Sequence, residues 1–329
     1  MIKILTALLL MGFSASGWAG NQCDISSIGE ISGRKDLPAN CAYQGSISIT
    51  QSNTSLDCHG SAFMAGINDE VGLLIESKGK ELRNVSVKNC QFVGYKKNGV
   101  FVGWRGVDSK KGVDHAEIYK KTPHDIILDN IFVDKSGAVG VYFDDYTQNI
   151  ELKNSTIKNS VGVGIYLEHS SRNQKIINNT IAFNGLGSSD RKAKREGLAI
   201  DSSAFNAIEG NTFQGNGAGG IFLYKNCGEH IDTGRQVIRW QHSDKNTIKN
   251  NSFIDEKIGV WLASRQNKDL RFMGCGDKML NDKGWYADYA DSNSVQANYF
   301  CRTGKPVVDN GKNNVIDSNY ASCKFDSKK

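Results

Sequence analysis

Apolar and polar residues alternate along most of this chain, in short runs that recur behind a common preface. Six stretches carry a polar triplet ending in Phe or Ile, followed eight to eighteen residues later by a Gly-Φ-x-Φ run in which Φ is apolar. The triplets are Cys90-Gln91-Phe92, Asn130-Ile131-Phe132, Ser155-Thr156-Ile157, Asn179-Thr180-Ile181, Asn211-Thr212-Phe213 and Asn251-Ser252-Phe253. The runs begin at Gly99, Gly140, Gly164, Gly197, Gly220 and Gly259. Pairs such as Val141 and Phe143, Ile165 and Leu167, or Val260 and Leu262 repeat every second residue, which predicts strands rather than helices.

The glycines are spaced by 41, 24, 33, 23 and 39 residues, a basic unit lengthened by insertions. A unit of this size cannot bury its own apolar face, and stacked neighbours can, so the period predicts a solenoid. The Leu-rich consensus and helix-compatible half of a leucine-rich repeat are missing. Asn, Ser and Thr at matching turn positions predict polar ladders that satisfy backbone groups at the corners.

This arrangement resembles the right-handed parallel β-helix of the pectate lyase-like superfamily, over about Gly45 to Tyr320. The resemblance implies an all-β, single-domain solenoid, and a relative of proteins that mostly act on polysaccharides. It rests on the repeat and on no single catalytic motif.

Lys3, the apolar run from Ile4 to Phe13 and Ser16-Gly17-Trp18-Ala19 read as a secretory signal peptide over residues 1–19, leaving 20–329 as the β-helix domain. The apolar run is too short to span a bilayer, so no membrane insertion is expected. Eight cysteines in an exported chain predict disulfides, and proximity suggests Cys23–Cys41, Cys58–Cys90, Cys227–Cys275 and Cys301–Cys323. The formal charge of +5, or +4 without Lys3, suits an anionic partner without requiring one. Export and the lack of a recognisable motif argue against nucleic acid, and a monomer is expected.

Between each Gly run and the next triplet the regular interval is 14 to 15 residues, and extra residues appear at roughly 103–123, 225–244 and 264–291. All three insertions follow a Gly-Φ-x-Φ run, which places them on one edge of the solenoid as walls beside one face. The outward positions of that face are Phe101, Tyr142, Tyr166, Ala199, Phe222 and Trp261, an aromatic strip suited to pyranose rings. Two positions on stand Asp144, Glu168 and Asp201 from consecutive coils, followed by Asp145, His169 and Lys225, with Arg265 on the next coil. Strands about 4.8 Å apart bring the three carboxylates into one volume, where a cation, a proton or a basic residue must offset their repulsion.

β-Elimination on a uronic-acid polymer needs neutralisation of the substrate carboxylate, a base for the C5 proton and an acid for the leaving oxygen. By similarity to lyases of the superfamily, Asp144, Glu168 and Asp201 could ligate Ca²⁺. Lys225 is then the candidate base, with His169 and Tyr224 competing, and Arg265 the candidate for the substrate carboxylate. Asp144-Asp145 followed by His169 also resembles polygalacturonase-like hydrolases, but Asn-x-Asp, Gly-His-Gly and Arg-x-Lys are missing. A C5-epimerase lacks its Asp-Pro-His, and a non-catalytic polysaccharide-binding β-helix remains a separate class. Arg239, Trp240 and His242 in the second insertion are candidate sugar contacts, as are Tyr142, Tyr166, Phe222, Trp261 and Asp145. The basic run Arg191 to Arg195 is a solvated loop or the rim of a groove.

Overall fold

A computed structural model describes residues 29–109, 112–190, 192–226, 239–268 and 286–323. The segment expected to be a signal peptide, and Cys23, Cys227 and Cys275, lie outside them. Short strands form three parallel sheets of ten, ten and nine strands, every pairing joining one coil to the next. The first sheet is built from the Gly-Φ-x-Φ runs and comprises Glu30–Ile31, Ile47–Ile49, Val71–Glu76, Asn98–Gly103, Val139–Phe143, Ile165–Leu167, Glu196–Asp201, Gly219–Tyr224, Ile258–Leu262 and Lys305–Asp309. One further coil carries the run, Gly72-Leu73-Leu74-Ile75 before the six read from sequence, and Pro306-Val307-Val308-Asp309 continues the register after them with Pro in place of the glycine and Asp in place of the second Φ.

The Φ positions point inward, as alternation predicts. Val100, Val141, Ile165, Leu198, Ile221 and Val260 are in register and fully buried in one core. The third sheet faces them with stacked rings, Phe213 on Phe253 at 5.1 Å and Phe253 on Phe300 at 4.9 Å between centroids. Each such pair contributes about 0.5–1.5 kcal/mol beyond its burial. One triplet differs from the expected frame by a residue: Val133, not Phe132, pairs with Phe92 and faces inward, so the second copy is Ile131-Phe132-Val133. The repeated glycine has a steric cause. A Cβ at Gly140 would meet the carbonyl oxygen of Gly164 at 2.5 Å and the Ile157 side chain at 2.5 Å.

Polar ladders close the corners. In one, the backbone N–H of Ser155 donates to Asn179 Oδ1, that of Asn179 to Asn211, and so on through Asn251 and Asn298 to Asn319. Each Asn amide group in turn donates to a carbonyl of the preceding coil, as Asn251 does to Ile208 at 2.8 Å. Cys58–Cys90 and Cys301–Cys323 are bridged as expected.

The first insertion contains one short helix, His115–Lys121, capped by Asp114, which accepts from Ala116 N at 2.9 Å. Its Ile118 and Tyr119 are buried with Val107 and Tyr146. The insertions meet beside the first sheet, where Trp240 Nε1 donates to the Ser109 carbonyl at 2.7 Å and His115 packs edge-on against Trp240.

Candidate functional site

The carboxylate column lies where strands of the first sheet exit. Gly103 precedes it, and a Cβ there would fall 2.3 Å from Asp144 Cβ, so the missing side chain gives Asp144 its place. Glu168 accepts from Tyr142 Oη at 2.5 Å, from the His169 backbone N–H at 3.0 Å and from Arg239 Nη1. Asp201 accepts from Ser202 Oγ and Asn226 N, each at 3.0 Å, from Asn226 Nδ2 and from Tyr166 Oη at 2.7 Å. Arg239 Nη2 lies 3.9 Å from Asp201 Oδ2, so one guanidinium bridges two coils. Asp145 holds His169 Nδ1 at 2.6 Å, and the fully buried Nε2 has no hydrogen-bond partner.

A pocket of about 450 Å³ opens on the same face, lined by Val139, Tyr142, Gly162, Val163, Tyr166, Glu168, Ala193 and Arg195. Tyr142 and Tyr166, stacked at 5.3 Å, run along it, and the lining carries an acid, Glu168, and a cation, Arg195. Burial raises the Glu168 carboxyl to about 7, against the pull of Arg239 and with a further push from Asp201 and Asp145. Burial and the adjoining Asp145 push Asp144 well above the usual carboxylate range. Tyr142 is held well above an ordinary phenol by burial and by Glu168.

The structure thus brings together Tyr142, Asp144, Asp145, Tyr166, Glu168, His169, Asp201 and Arg239. Arg265 adjoins this group, its charge acting on Tyr166 and Asp201, and Lys225 follows Tyr224 at the exit of the next strand. The Lys225 ammonium sits 5.8 Å from the Tyr289 ring centroid, and the Arg265 guanidinium lies 4.1 Å over Tyr224. Tyr224 Oη donates to Glu196 at 2.9 Å and accepts from Arg195 at 3.1 Å. His242 stacks on Tyr289 at 4.2 Å and pairs with Asp244.

The expected exposed aromatic strip needs correction. Phe101, Tyr166 and Phe222 are only 6%, 9% and 8% exposed, and Ala199 is fully buried. Arg105 covers the Phe101 ring at 4.8 Å and Trp261 packs edge-on against Phe222, so only the half-buried Tyr142 and Trp261 retain substantial surface. Sequence reasoning missed Asn226 and the pocket role of Arg195, although the latter closes the basic run. It also missed Asp288, which accepts from the backbone N–H groups of Lys225 at 2.5 Å and Arg265 at 2.7 Å. Nothing in the repeat marks Asp288, because it sits inside an insertion.

Away from this site, His59 Nε2 lies 3.7 Å from Asp36 and 3.6 Å from Asp57, the one grouping of three potential metal donors among the described residues. Lys88 already pairs with Asp57 at 3.1 Å.

Fold and site together define a right-handed parallel β-helix of the pectate lyase-like kind, with inserted loops beside one face. The chain belongs to the family described as periplasmic copper-binding protein (NosD), whose model matches residues 58–232 and 188–324. Among curated proteins none matches. Of solved structures, the periplasmic alginate epimerase AlgG aligns at 14% identity and a TM-score of 0.50, over 84% of this chain and 61% of that one. A lacto-N-biosidase from Eubacterium ramulus aligns at 12% identity and a TM-score of 0.50, over 92% of this chain and 48% of that one. An alginate lyase from Paenibacillus sp. aligns at 13% identity and a TM-score of 0.47, over 88% and 91%. The chain spans about three fifths of the epimerase, and at these identities the likeness speaks for the fold. The family match and the two disulfides are consistent with a periplasmic or extracellular location; no described helix is long and apolar enough to cross a membrane.

Proposed function

We propose that the protein is an exported carbohydrate-active enzyme that cleaves a uronic-acid-containing polysaccharide by β-elimination in the pocket over Tyr142 and Tyr166. The observation that carries this reading is the presence, in the lining of one tyrosine-bearing pocket, of Glu168, an acid poised near neutrality, and of Arg195, whose guanidinium is held by Glu196 at 3.1 Å. A uronate ring places its carboxylate on Arg195, which offsets the charge that develops when C5 loses its proton. Ionised Glu168 takes that proton. Tyr142 gives its hydroxyl proton to the departing O4 as the C4–O bond breaks and the C4–C5 double bond forms. The proton on Glu168 then returns to Tyr142 through their 2.5 Å hydrogen bond, restoring both groups. In this reading the base is Glu168 and the carboxylate partner Arg195, the two charged residues in the lining of that pocket, while Lys225 and Arg265, the candidates from sequence, stand outside that lining. His169, buried and held by Asp145, supports Glu168 through its backbone N–H.

The family description names copper. Copper sites draw on several imidazole, thiolate or thioether donors. The Asp36–Asp57–His59 group supplies one imidazole, and Lys88 already neutralises one of its carboxylates, so the described residues do not fit that metal. Ca²⁺ on Asp144, Glu168 and Asp201 fits poorly, since hydrogen-bond donors already take three of the roughly four lone-pair sites of Glu168 and four of those of Asp201.

A second reading, hydrolysis, draws on Asp144, whose raised carboxyl stands one coil from Glu168. The test incubates the purified protein with polygalacturonate, alginate and glycosaminoglycans, following ultraviolet absorbance of unsaturated ends and total reducing ends. Both signals rising together supports elimination. Reducing ends alone would transfer the assignment to hydrolysis, and silence in both removes the catalytic reading for these substrates. Because the base must be ionised, elimination rises as pH climbs through about 7.

A further inference from the structure

We propose that Arg239 is a covalently tethered cation standing between Glu168 and Asp201 where a divalent ion would otherwise bridge them, so that the column operates without metal. This rests on the geometry of the column and not on the identity of the substrate.

The guanidinium comes from the second insertion, yet its side chain is 1% exposed, between carboxylates that are 10% and 0% exposed. The segment carrying it is stitched across several coils. Trp240 Nε1 donates to the Ser109 carbonyl, Gln241 Nε2 to those of Ser171 at 2.8 Å and Ser202 at 3.1 Å, and Ser243 Oγ to those of Ile200 at 2.9 Å and Tyr224 at 2.7 Å. Such anchoring fixes the arginine in place rather than leaving it as an adaptable sugar contact.

The donor inventory points the same way. A carboxylate offers about four lone-pair sites. Glu168 uses three of them on Tyr142, His169 N and Arg239, and Asp201 uses four on Ser202, Tyr166 and both nitrogens of Asn226. Ca²⁺ asks for about six to eight oxygens at about 2.3–2.6 Å. Binding one here would require stripping off hydrogen bonds whose donors are themselves buried. A guanidinium instead adds donors, remains charged at any working pH and neither exchanges nor chelates away. Without Arg239, two buried carboxylates one coil apart would lack their shared counter-ion, and a divalent cation becomes the available substitute.

The experiment uses the full chain, stripped with EDTA, and compares wild type, Arg239→Ala and the double variant Arg239→Ala/Asp201→Asn by thermal unfolding across a Ca²⁺ series. Wild type should show the same Tm with chelator and with Ca²⁺. Arg239→Ala should melt lower and recover in a dose-dependent way as Ca²⁺ is added, and the double variant should lose that recovery. Equilibrium dialysis of ⁴⁵Ca against wild type and Asp201→Asn gives an independent reading if Arg239→Ala does not fold. Wild-type Ca²⁺ binding that Asp201→Asn abolishes would overturn the proposal. So would an Arg239→Ala protein whose Tm ignores Ca²⁺. Neither measurement uses a sugar, so failure here is distinct from failure of the cleavage assay.

Discussion

Two buried polar columns run along this β-helix at the same coil-to-coil spacing, and their groups are satisfied in opposite ways. In the corner ladder from Asn179 to Asn319 each side chain is an amide. It accepts from the coil before it through Oδ1 and donates to a carbonyl of that coil through Nδ2, so each added coil supplies its own partners. In the column from Asp144 to Asp201 each side chain is a carboxyl group, which only accepts once ionised. A stack of acceptors cannot close on itself. Its donors are imported from tyrosines one coil earlier, from Asn226 and from Arg239 in an insertion. The amide column is what a solenoid needs in order to stand, and the carboxylate column adds an electrostatic cost that the fold alone does not require.

The contrast is broken most severely at Glu168. Glu168→Gln keeps the shape but removes the proton acceptor, and cleavage of the responsive polyuronate should fall by roughly 10²- to 10⁴-fold. The amide ladder should respond in the reverse sense. Asn251→Ala deprives Asn211 of the acceptor for both its N–H and its amide group, and deprives the Ile208 carbonyl of its donor. With these groups buried, urea unfolding should show a loss of about 2–4 kcal/mol while the turnover of the surviving fold is unchanged. If Glu168→Gln retained full turnover, or Asn251→Ala reduced turnover at full stability, the division between the columns would be wrong.

The amide ladder and the glycine column were legible because both are consequences of stacking. Any residue whose environment is its own copy one coil away must recur at the period. The misplaced triplet shows the limit of that reading. Ile131 and Phe132 are both apolar, so alternation alone does not say which copy of the frame continues, whereas pairing with Phe92 selects Val133. The coil at Gly72 obeys the same rule ahead of the first of the six triplets. The carboxylates could be placed for the same periodic reason. Their partners could not, since Arg239 and Asp288 belong to insertions whose register against the coils is set by tertiary contacts such as Trp240 on Ser109. Burial of the aromatic column was hidden for a like reason, because Arg105, which lies over Phe101, comes from a segment outside the repeat.

A position where one column borrows the chemistry of the other sharpens the comparison. A second amide ladder runs from Ser160 through Asn184 and Asn216 and ends on Glu256, whose Oε1 accepts from Asn216 Nδ2 at 2.7 Å while Oε2 is buried with no hydrogen-bond partner. Burial raises this carboxyl to about 7. In the unfolded chain it titrates near about 4.3. The folded state therefore binds the extra proton between those values. The contribution of Glu256 to stability is fully present below the unfolded pKa and is lost as pH rises through about 7. Glu256→Gln removes the titration and offers an amide where Asn184 and Asn216 donate to the Ile157 and Ile181 carbonyls. The variant should match wild type near pH 4 and exceed it by about 1–3 kcal/mol at pH 8, measured by urea unfolding at both pH values. Equal stability at pH 8 would mean that the carboxylate is tolerated in the ladder.

The smallest effect is expected on the exposed surface, where a further column repeats as faithfully as the buried ones. Asn154 Nδ2 donates to Asp129 Oδ1 at 2.8 Å and Asn159 Nδ2 to Asp134 Oδ1 at 2.8 Å, each from a residue in the left-handed region, with φ of 51° and 55°. Water can replace these hydrogen bonds, so repetition here does not amount to stabilisation. Asn154→Gly keeps the backbone conformation and removes only the hydrogen bond, and unfolding should shift by less than about 0.5 kcal/mol. Asn154→Ala also removes it but places a Cβ in the left-handed region, which should cost about 1 kcal/mol. If Gly proved as costly as Ala, the side-chain bond rather than the backbone conformation would be what holds the turn. Exposed and buried ladders would then differ less than their burial implies.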